Sequence, residues 1–481
     1  MTRQRPNIIY IFADQWRRQA VGFMNEDPVY TPHMDRFSKE GLVFTQAVSC
    51  TPLCSPHRAS LMTGKYALST GVFTNCKTGL NMMLSPDEIG IGDVLKREGF
   101  RTGYIGKWHL DEPERNKAEQ PLSGADDWDA YTPPGPKRHG FDYWYSYGAS
   151  DEHLTPHYWM DSPEKIKISE WSVEHETDKA LSFLEENCGG ESPFSLFLSW
   201  NPPHSPFHLV PERYKKLYEG TVPERRENVV IREPFLVHTG ETIAGGEQRW
   251  EENASDYFAA VSGIDDQFGR LMERLEQLGI EENTIVVLTS DHGELLGSHG
   301  MMAKHSWHEE SIGVPFVIRW PGRIATGATA EILNTVDIMP TLLELMDIPV
   351  PRTVEGHSLA AHMKEHDELG GRITDEAAGK ERRALISAYP GRLAAITAFR
   401  EAGLNHLAYG WRGIRTKRYT YVVDKGYAPG EGEARWLYDL QEDPAQQNPI
   451  ALKHAAEHPV ASELEKELKE RLAGIGDPFE I

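Results

Sequence analysis

Apolar residues fall into short blocks, separated by longer stretches in which they recur every three or four positions. Residues 6–13, Pro-Asn-Ile-Ile-Tyr-Ile-Phe-Ala, are a compact run rich in β-branched side chains and predict a buried strand ending at Asp14-Gln15. Similar runs over 100–106, 194–200, 284–290 and 315–320 predict four more strands. The next residues are Lys107-Trp108-His109, Asn201-Pro202-Pro203-His204, Asp291-His292-Gly293 and Pro321-Gly322. Helical periodicity fills the intervals. Its clearest case places Tyr257, Val261, Ile264, Phe268, Leu271, Leu275 and Leu278 on one stripe, with Gly279 as a stop. Strands alternating with helices predict an α/β fold with helices on both faces of the sheet. In such sheets, ligands sit beyond the carboxyl ends of the strands. Four of the five predicted strands deliver groups of catalytic type there.

The pattern changes after residue 361. Residues 362–384 are charged and contain glycine, and predict a surface linker. Beyond them, 415–423 reads as a strand pair and Trp436-Leu437-Tyr438-Asp439 as another strand. A last helix is expected to start at Ser462, with Glu465 completing a capping box. Its buried stripe is Leu464, Leu468 and Leu472, its solvated face Glu465/Lys469 and Glu467/Arg471, and Gly474 its end. The expected organisation is a catalytic domain over 1–375 and a small α+β C-terminal subdomain over 376–481, with an antiparallel sheet and the terminal helix.

Hydrophobic residues make up 39% of the 481 and charged residues 26%, a composition that folds and excludes disorder. Acidic residues number 73 against 50 basic, a net charge of −23. That argues against nucleic acid or an anionic membrane as a partner, while leaving room for a local basic pocket. No apolar run reaches membrane-spanning length, and none resembles a secretory signal, so the expected location is cytoplasmic. The four cysteines, Cys50, Cys54, Cys76 and Cys188, show no zinc spacing, and a chain this long needs no disulfide staples.

Candidate chemistry concentrates in Cys54-Ser55-Pro56-His57-Arg58-Ala59-Ser60-Leu61-Met62-Thr63-Gly64. Pro56 suits a first helical turn and Gly64 a C-terminal cap. Cys54 then sits at a helix N-terminus, where free N–H groups favour an anion and lower a thiol pKa. A nucleophile and an inert buried thiol are both compatible with that position.

This run resembles the signature of the type I sulfatases of the alkaline phosphatase superfamily, differing at His57, where serine is common. Further similarity lies in Thr31-Pro32-His33-Met34-Asp35, Gly106-Lys107-Trp108-His109-Leu110, Pro203-His204-Ser205-Pro206, Ser290-Asp291-His292-Gly293-Glu294 with His299-Gly300 and Lys304, Val336 to Leu342, and Leu437-Tyr438-Asp439-Leu440. The resemblance implies a large mixed sheet sandwiched between helices. It implies oxidation of Cys54 to formylglycine by a maturation enzyme, the aldehyde hydrate being the nucleophile. It also implies one divalent cation held by Asp14, Gln15, Asp291, His292 and the modified Cys54. Many relatives have Asp at position 15 and Asn at 292. Calcium is the expected ion, with manganese, magnesium or zinc as alternatives.

By the same resemblance, Arg58 and Lys107 hold the nucleophile and its charge, and Lys107 and Lys304 grip the sulfate oxygens. His204 protonates the leaving alcohol, and His109 removes the second hydrate proton so that the covalent sulfate ester collapses by elimination. The implied activity is hydrolysis of a sulfate ester. A sulfated sugar or short oligosaccharide is favoured by basic residues and by the aromatic and histidine-rich stretch of Trp144, Tyr145, Tyr147, His153, His157 and Trp159. Two rivals are a phosphonate monoester or phosphodiester hydrolase of the same superfamily and a catalytically silent glycan binder. His299 and His305 are expected to be supporting residues. Trp16, Arg17 and Arg18 either face the leaving group or cap the sheet.

Overall fold

The computed structural model describes residues 5–364 and 381–481. Its main sheet has eight strands: β1 (Asn7–Ala13), β2 (Leu42–Val48), β3 (Arg101–Lys107), β4 (Tyr143–Tyr147), β5 (Phe194–Trp200), β6 (Thr284–Ser290), β7 (Phe316–Arg319) and β8 (Gly327–Asn334). Their spatial order is β8-β2-β7-β6-β1-β5-β3-β4. The four central strands β6, β1, β5 and β3 are mutually parallel. β7 is antiparallel to both neighbours, which makes the sheet mixed. All five strands expected from the apolar runs are present. β2, β4 and β8 join them at the flanks, their residues more polar or half-buried and their signal correspondingly weaker.

Uninterrupted apolar runs suit strands covered on both faces. One face carries the helices Ser172–Asn187 and Glu247–Gln277, the second contributing Tyr257, Val261, Ile264, Phe268, Leu271 and Leu275 to the core. The other face carries Cys54–Thr63, Ile91–Arg97 and Thr335–Leu345. Gly279 ends the long helix in the left-handed region, with φ +67°.

Past residue 380, five antiparallel strands run in sequential order: β9 (Ala384–Ala388), β10 (Trp411–Arg415), β11 (Tyr419–Asp424), β12 (Ala434–Asp439) and β13 (Ile450–Leu452). The expected 375/376 boundary lies outside the described residues, as does most of the linker expected over 362–384. Where that stretch is described it departs from a surface linker. Ala360–Lys364 is helical with Met363 buried, and Arg382 pairs with Asp337 at 3.0 Å. The second sheet abuts the first through the Ser387 N–H, which donates to Cys50 O at 2.9 Å.

The terminal helix spans Pro459–Gly474, one turn earlier than expected. Its cap is His458, whose ring accepts from Val460 N, while Ser462 is inside the helix and donates its N–H to His458 O. Proline at the first helical position and a capping imidazole outcompete the Ser-x-x-Glu pattern. Leu464, Leu468 and Leu472 are buried as expected. Glu465 is not on a solvated face: it accepts from Tyr421 Oη at 2.7 Å and Arg435 Nε at 2.8 Å.

Candidate active site

Adjacent parallel strands bring their carboxyl ends to one pole. In spatial order, β6 delivers Asp291, β1 delivers Asp14, β5 delivers Asn201 and β3 delivers Lys107. The Cys54–Thr63 helix points its N-terminus at this pole, and the Gly64 amide closes its other end on Ser60 O at 2.8 Å. Ser55 anchors the first turn. Its N–H donates to Asn75 Oδ1 at 3.1 Å, and its hydroxyl donates to His109 O at 2.6 Å.

Asp14, Cys54, Asp291 and His292 are all buried, and each offers a ligand atom within 4.8 Å of the others. Cys54 Sγ lies 3.3 Å from His292 Nε2 and 3.6 Å from Asp14 Oδ1. His292 Nδ1 is 3.0 Å from Gly293 O and donates to it, which turns Nε2 toward the cluster and leaves its lone pair for a cation once the ring is neutral. Asp291 Oδ2 is buried without a hydrogen-bond partner among the described residues. Burial opposes the Asp14 carboxylate, yet Lys107, His204, Arg58 and His292 together hold its pKa well below the usual range. Burial and the Asp14 charge push Asp291 up. Two carboxylates this close to an open nitrogen lone pair fit a divalent cation, which removes their repulsion.

Gln15 completes this set by orientation. Its amide N–H₂ donates to Glu294, whose other oxygen accepts from Leu296 N at 2.9 Å and Ala303 N at 2.7 Å. With nitrogen so engaged, the carbonyl oxygen turns to Lys304 Nζ, which donates to it. Gln15 adopts φ +65°, a left-handed conformation costing on the order of 1–3 kcal/mol and held here by these contacts.

Four cations surround the thiol. Arg58, one helical turn on from Cys54, donates to Asp14 Oδ2 at 3.1 Å, Ser199 Oγ at 2.7 Å and Lys107 O at 2.6 Å. Lys107 Nζ lies 2.8 Å from Asp14 Oδ2 and 3.0 Å from Asn201 Oδ1. Its backbone is set by Gly106, at φ +96°, where a Cβ would stand 2.1 Å from Ser199 O. Lys304 Nζ lies 3.0 Å from His204 Nε2. Burial and the Asp14 charge raise the Cys54 pKa, but Lys304, Lys107 and His292 overcome both and hold it well below 9.

The two histidines are tuned in opposite directions. His109 Nε2 donates to Cys76 O at 3.2 Å, so its lone pair is on Nδ1, which is buried without a partner among the described residues. Burial lowers the His109 pKa and favours the neutral ring, although the neighbouring Cys54 pulls the other way. At His204, burial, Lys304 and Lys107 oppose the cation. Asp151, 3.3 Å from Nδ1, and Asp14 outweigh them and raise the pKa to about 9. A protonated His204 and Lys304 present two donors 3.0 Å apart, an arrangement relieved by an anionic oxygen between them.

All ten sequence-derived site residues therefore converge on one pole. Four helpers were not singled out: Asn201, Asp151, Glu294 and Ser199. Asn201 follows its strand as directly as Asp14 follows β1, the one signal available for it. The aromatic stretch is corrected except at His153, whose Nε2 donates to His204 O at 2.9 Å. Trp144, Tyr145, Tyr147 and Trp159 are buried in the core, and His157 pairs with Asp129 at 2.5 Å. Trp16 is buried, Arg17 pairs with Asp27 at 2.6 Å and Arg18 with Glu309 at 2.9 Å, so this trio is structural. His299 stacks on His308 with ring centres 3.8 Å apart. All four cysteines are free thiols.

The sequence profile of the Sulfatase family matches residues 6–348. An endo-4-O-sulfatase of Bacteroides thetaiotaomicron is 34% identical over 505 residues, covering 99% of this chain and 93% of that one. An ulvan-active sulfatase of Formosa agariphila is 36% identical over 480 residues, covering 99% and 82%. A solved structure from work on glycosaminoglycan metabolism by Bacteroides thetaiotaomicron matches with a TM-score of 0.82 at 34% identity, over 99% of this chain and 97% of that one. The phosphonate monoester hydrolase of Agrobacterium radiobacter is more distant, with a TM-score of 0.72 at 21% identity over 98% and 95%, and shares the fold. With the Cys54 helix, the carboxylate pair and the ring of cations in place, the chain belongs to the sulfatase family of the alkaline phosphatase superfamily and is a sulfuric ester hydrolase.

Proposed function

We propose that this sulfatase hydrolyses a sulfate ester of a saccharide, using formylglycine made from Cys54 by a maturation enzyme and one calcium ion. The observation that carries the reading is the ring of Arg58, Lys107, Lys304 and His204 around Cys54, set against the Asp14, Asp291 and His292 cluster. Asp14, Asp291, His292, the carbonyl oxygen of Gln15 and the matured residue 54 would hold the cation. Four of these donors are oxygens and one is nitrogen, which suits calcium better than a softer ion. When bound, the cation polarises a sulfate oxygen, and the aldehyde hydrate supplies the nucleophilic hydroxyl.

The remaining work falls to the chain's own side chains. Lys107 and Lys304 hold sulfate oxygens in a site screened from water. His204, kept protonated by Asp151, delivers a proton to the leaving oxygen. His109, kept neutral with Nδ1 unpartnered, accepts the proton whose loss regenerates the aldehyde. Arg58 braces Asp14 and the Lys107 backbone.

The saccharide rests on what the relatives are named for: one an endo-4-O-sulfatase, the other ulvan-active. The buried aromatic stretch lends it no support. The test is a panel of defined sulfated sugars assayed in parallel with a phosphonate monoester. Turnover of at least one sulfated sugar above the phosphonate is expected. Faster turnover of the phosphonate would transfer the chain's function to the rival class.

A further inference from the structure

Beside His109, one wall of the pole is aromatic and not buried. Trp128 is 43% exposed, and its ring lies 6.4 Å from the His109 ring with the planes 22° apart. Lys77 Nζ sits 5.7 Å from the Trp128 ring centre. Lys77 directly follows Cys76, whose carbonyl accepts from His109. Among the described residues Lys77 has no ion-pair partner within 4.0 Å. Burial and the neighbouring Arg392 charge both push its pKa down. Arg392 itself is paired with Glu241.

This wall is braced. Thr78 Oγ1 donates to Asp127 O, Gly79 N donates to Asn116 Oδ1 at 2.8 Å, and Asn116 Nδ2 donates to Leu80 O at 2.8 Å. The nearby carboxylates are occupied. Asp126 pairs with Arg115 at 3.1 Å and Lys165 at 3.6 Å, and Asp127 with Arg115 at 3.4 Å. A half-buried lysine without a carboxylate is costly unless an anion comes to it. An exposed indole next to a catalytic imidazole offers a flat apolar surface of the kind sugar rings pack on.

We propose that Trp128 and Lys77 form a subsite for a second, negatively charged saccharide unit: the sugar ring packs on Trp128 and its anionic group pairs with Lys77. This rests on the saccharide reading and narrows it to substrates carrying a second anion, a carboxylate or another sulfate, next to the scissile ester.

The experiment uses the matured enzyme, its Trp128→Ala and Lys77→Ala variants, and four probes. These are 4-nitrophenyl sulfate, a monosulfated uronate-containing disaccharide, its carboxyl methyl ester, and a disulfated disaccharide lacking uronate. The nitrophenyl ester reports chemistry at residue 54 without a second sugar. Trp128→Ala is expected to raise KM for the disaccharides, so that its loss in kcat/KM on them exceeds its loss on 4-nitrophenyl sulfate by about tenfold. Lys77→Ala is expected to erase the parent's preference for the free carboxylate over the methyl ester, or for the disulfated probe. Which preference collapses identifies the anion. Equal losses on every probe would show that the two residues merely support His109, and unchanged disaccharide kinetics would remove the subsite while leaving the saccharide reading intact. A parent that turns over 4-nitrophenyl sulfate but no saccharide would instead refute the reading on which the subsite rests.

Discussion

Arg58 is buried between Asp14 and Asp291, and Arg412 is buried against Asp477, yet the two clusters are finished differently. Arg412 is fully met. Its Nε lies 2.7 Å from Asp477 Oδ2, Nη2 donates to Leu407 O at 2.8 Å and Nη1 donates to Ala388 O at 2.9 Å. Tyr389 and Phe479 cover the guanidinium, with ring centres 3.8 and 4.7 Å away. At the pole, Arg58 Nη2 lies 3.2 Å from Asp291 Oδ2, but among the described residues Arg58 Nε, Asp291 Oδ2 and His109 Nδ1 are buried with no hydrogen bond. A closed set of partners fixes structure, whereas an open one is a place for a ligand. The first cluster ties the C-terminal residues to the second sheet, and the second has the donors that the proposed cation and substrate would need.

The comparison breaks most visibly at Asp291. Asp291→Ala removes a charged ligand, so metal content and turnover should fall together, turnover by about a thousandfold or more. Metal analysis of the purified variant beside its kcat checks this. Parental metal content would remove Asp291 from the ligand set.

His109→Ala should spare the first half of the reaction and stop the second. Pre-steady-state assays should show alcohol released once per active site, then arrest. Steady turnover, with a loss that grows as the leaving group worsens, would give His109 the protonating role instead.

Arg412→Ala should do the reverse of both. Removing one partner of a buried ion pair costs about 3–5 kcal/mol. Denaturant unfolding should show that loss, while kcat per folded molecule stays near parental. A large fall in kcat without a fall in stability would erase the distinction between the clusters.

The smallest effect sharpens the pole itself. In the proposed role His204 acts while protonated, so activity should be present below its pKa, about 9, and lost as pH rises through it. Asp151→Asn removes a raising charge and should move the alkaline limb of kcat/KM to lower pH. The carboxylate is half-exposed and screened, so a shift under about one unit is expected. Lys304, Lys107, His153 and Asp14 also face this ring, and their charges are unaltered by the substitution. A limb that does not move would assign it to another group.

Much of the pole was legible because its residues end or directly follow strands whose apolar runs are unmistakable. Asp14, Lys107 and Asp291 stand at such strand ends, and the family motifs around them singled them out. Asn201 occupies the same kind of position, but an asparagine before two prolines reads as turn chemistry. Asp151 and Glu294 act by holding His204 and Gln15, partners 53 and 279 residues away, and no local pattern reports such pairings. The aromatic stretch misled for the opposite reason. Trp144, Tyr145 and Tyr147 lie on or beside an edge-strand sequence with no clean alternation, and helices and loops cover both faces. Trp128, the exposed ring by the site, lies in a loop of acidic residues that gives no apolar signal.

The account turns on Cys54 as the matured nucleophile, and the mass of the peptide containing it, taken from protein of measured activity, tests this most directly. The predicted result is an aldehyde or its hydrate at residue 54 in proportion to activity, with intact thiols at Cys50, Cys76 and Cys188 and no turnover in Cys54→Ala. Fully active protein with residue 54 wholly an unmodified cysteine would contradict it.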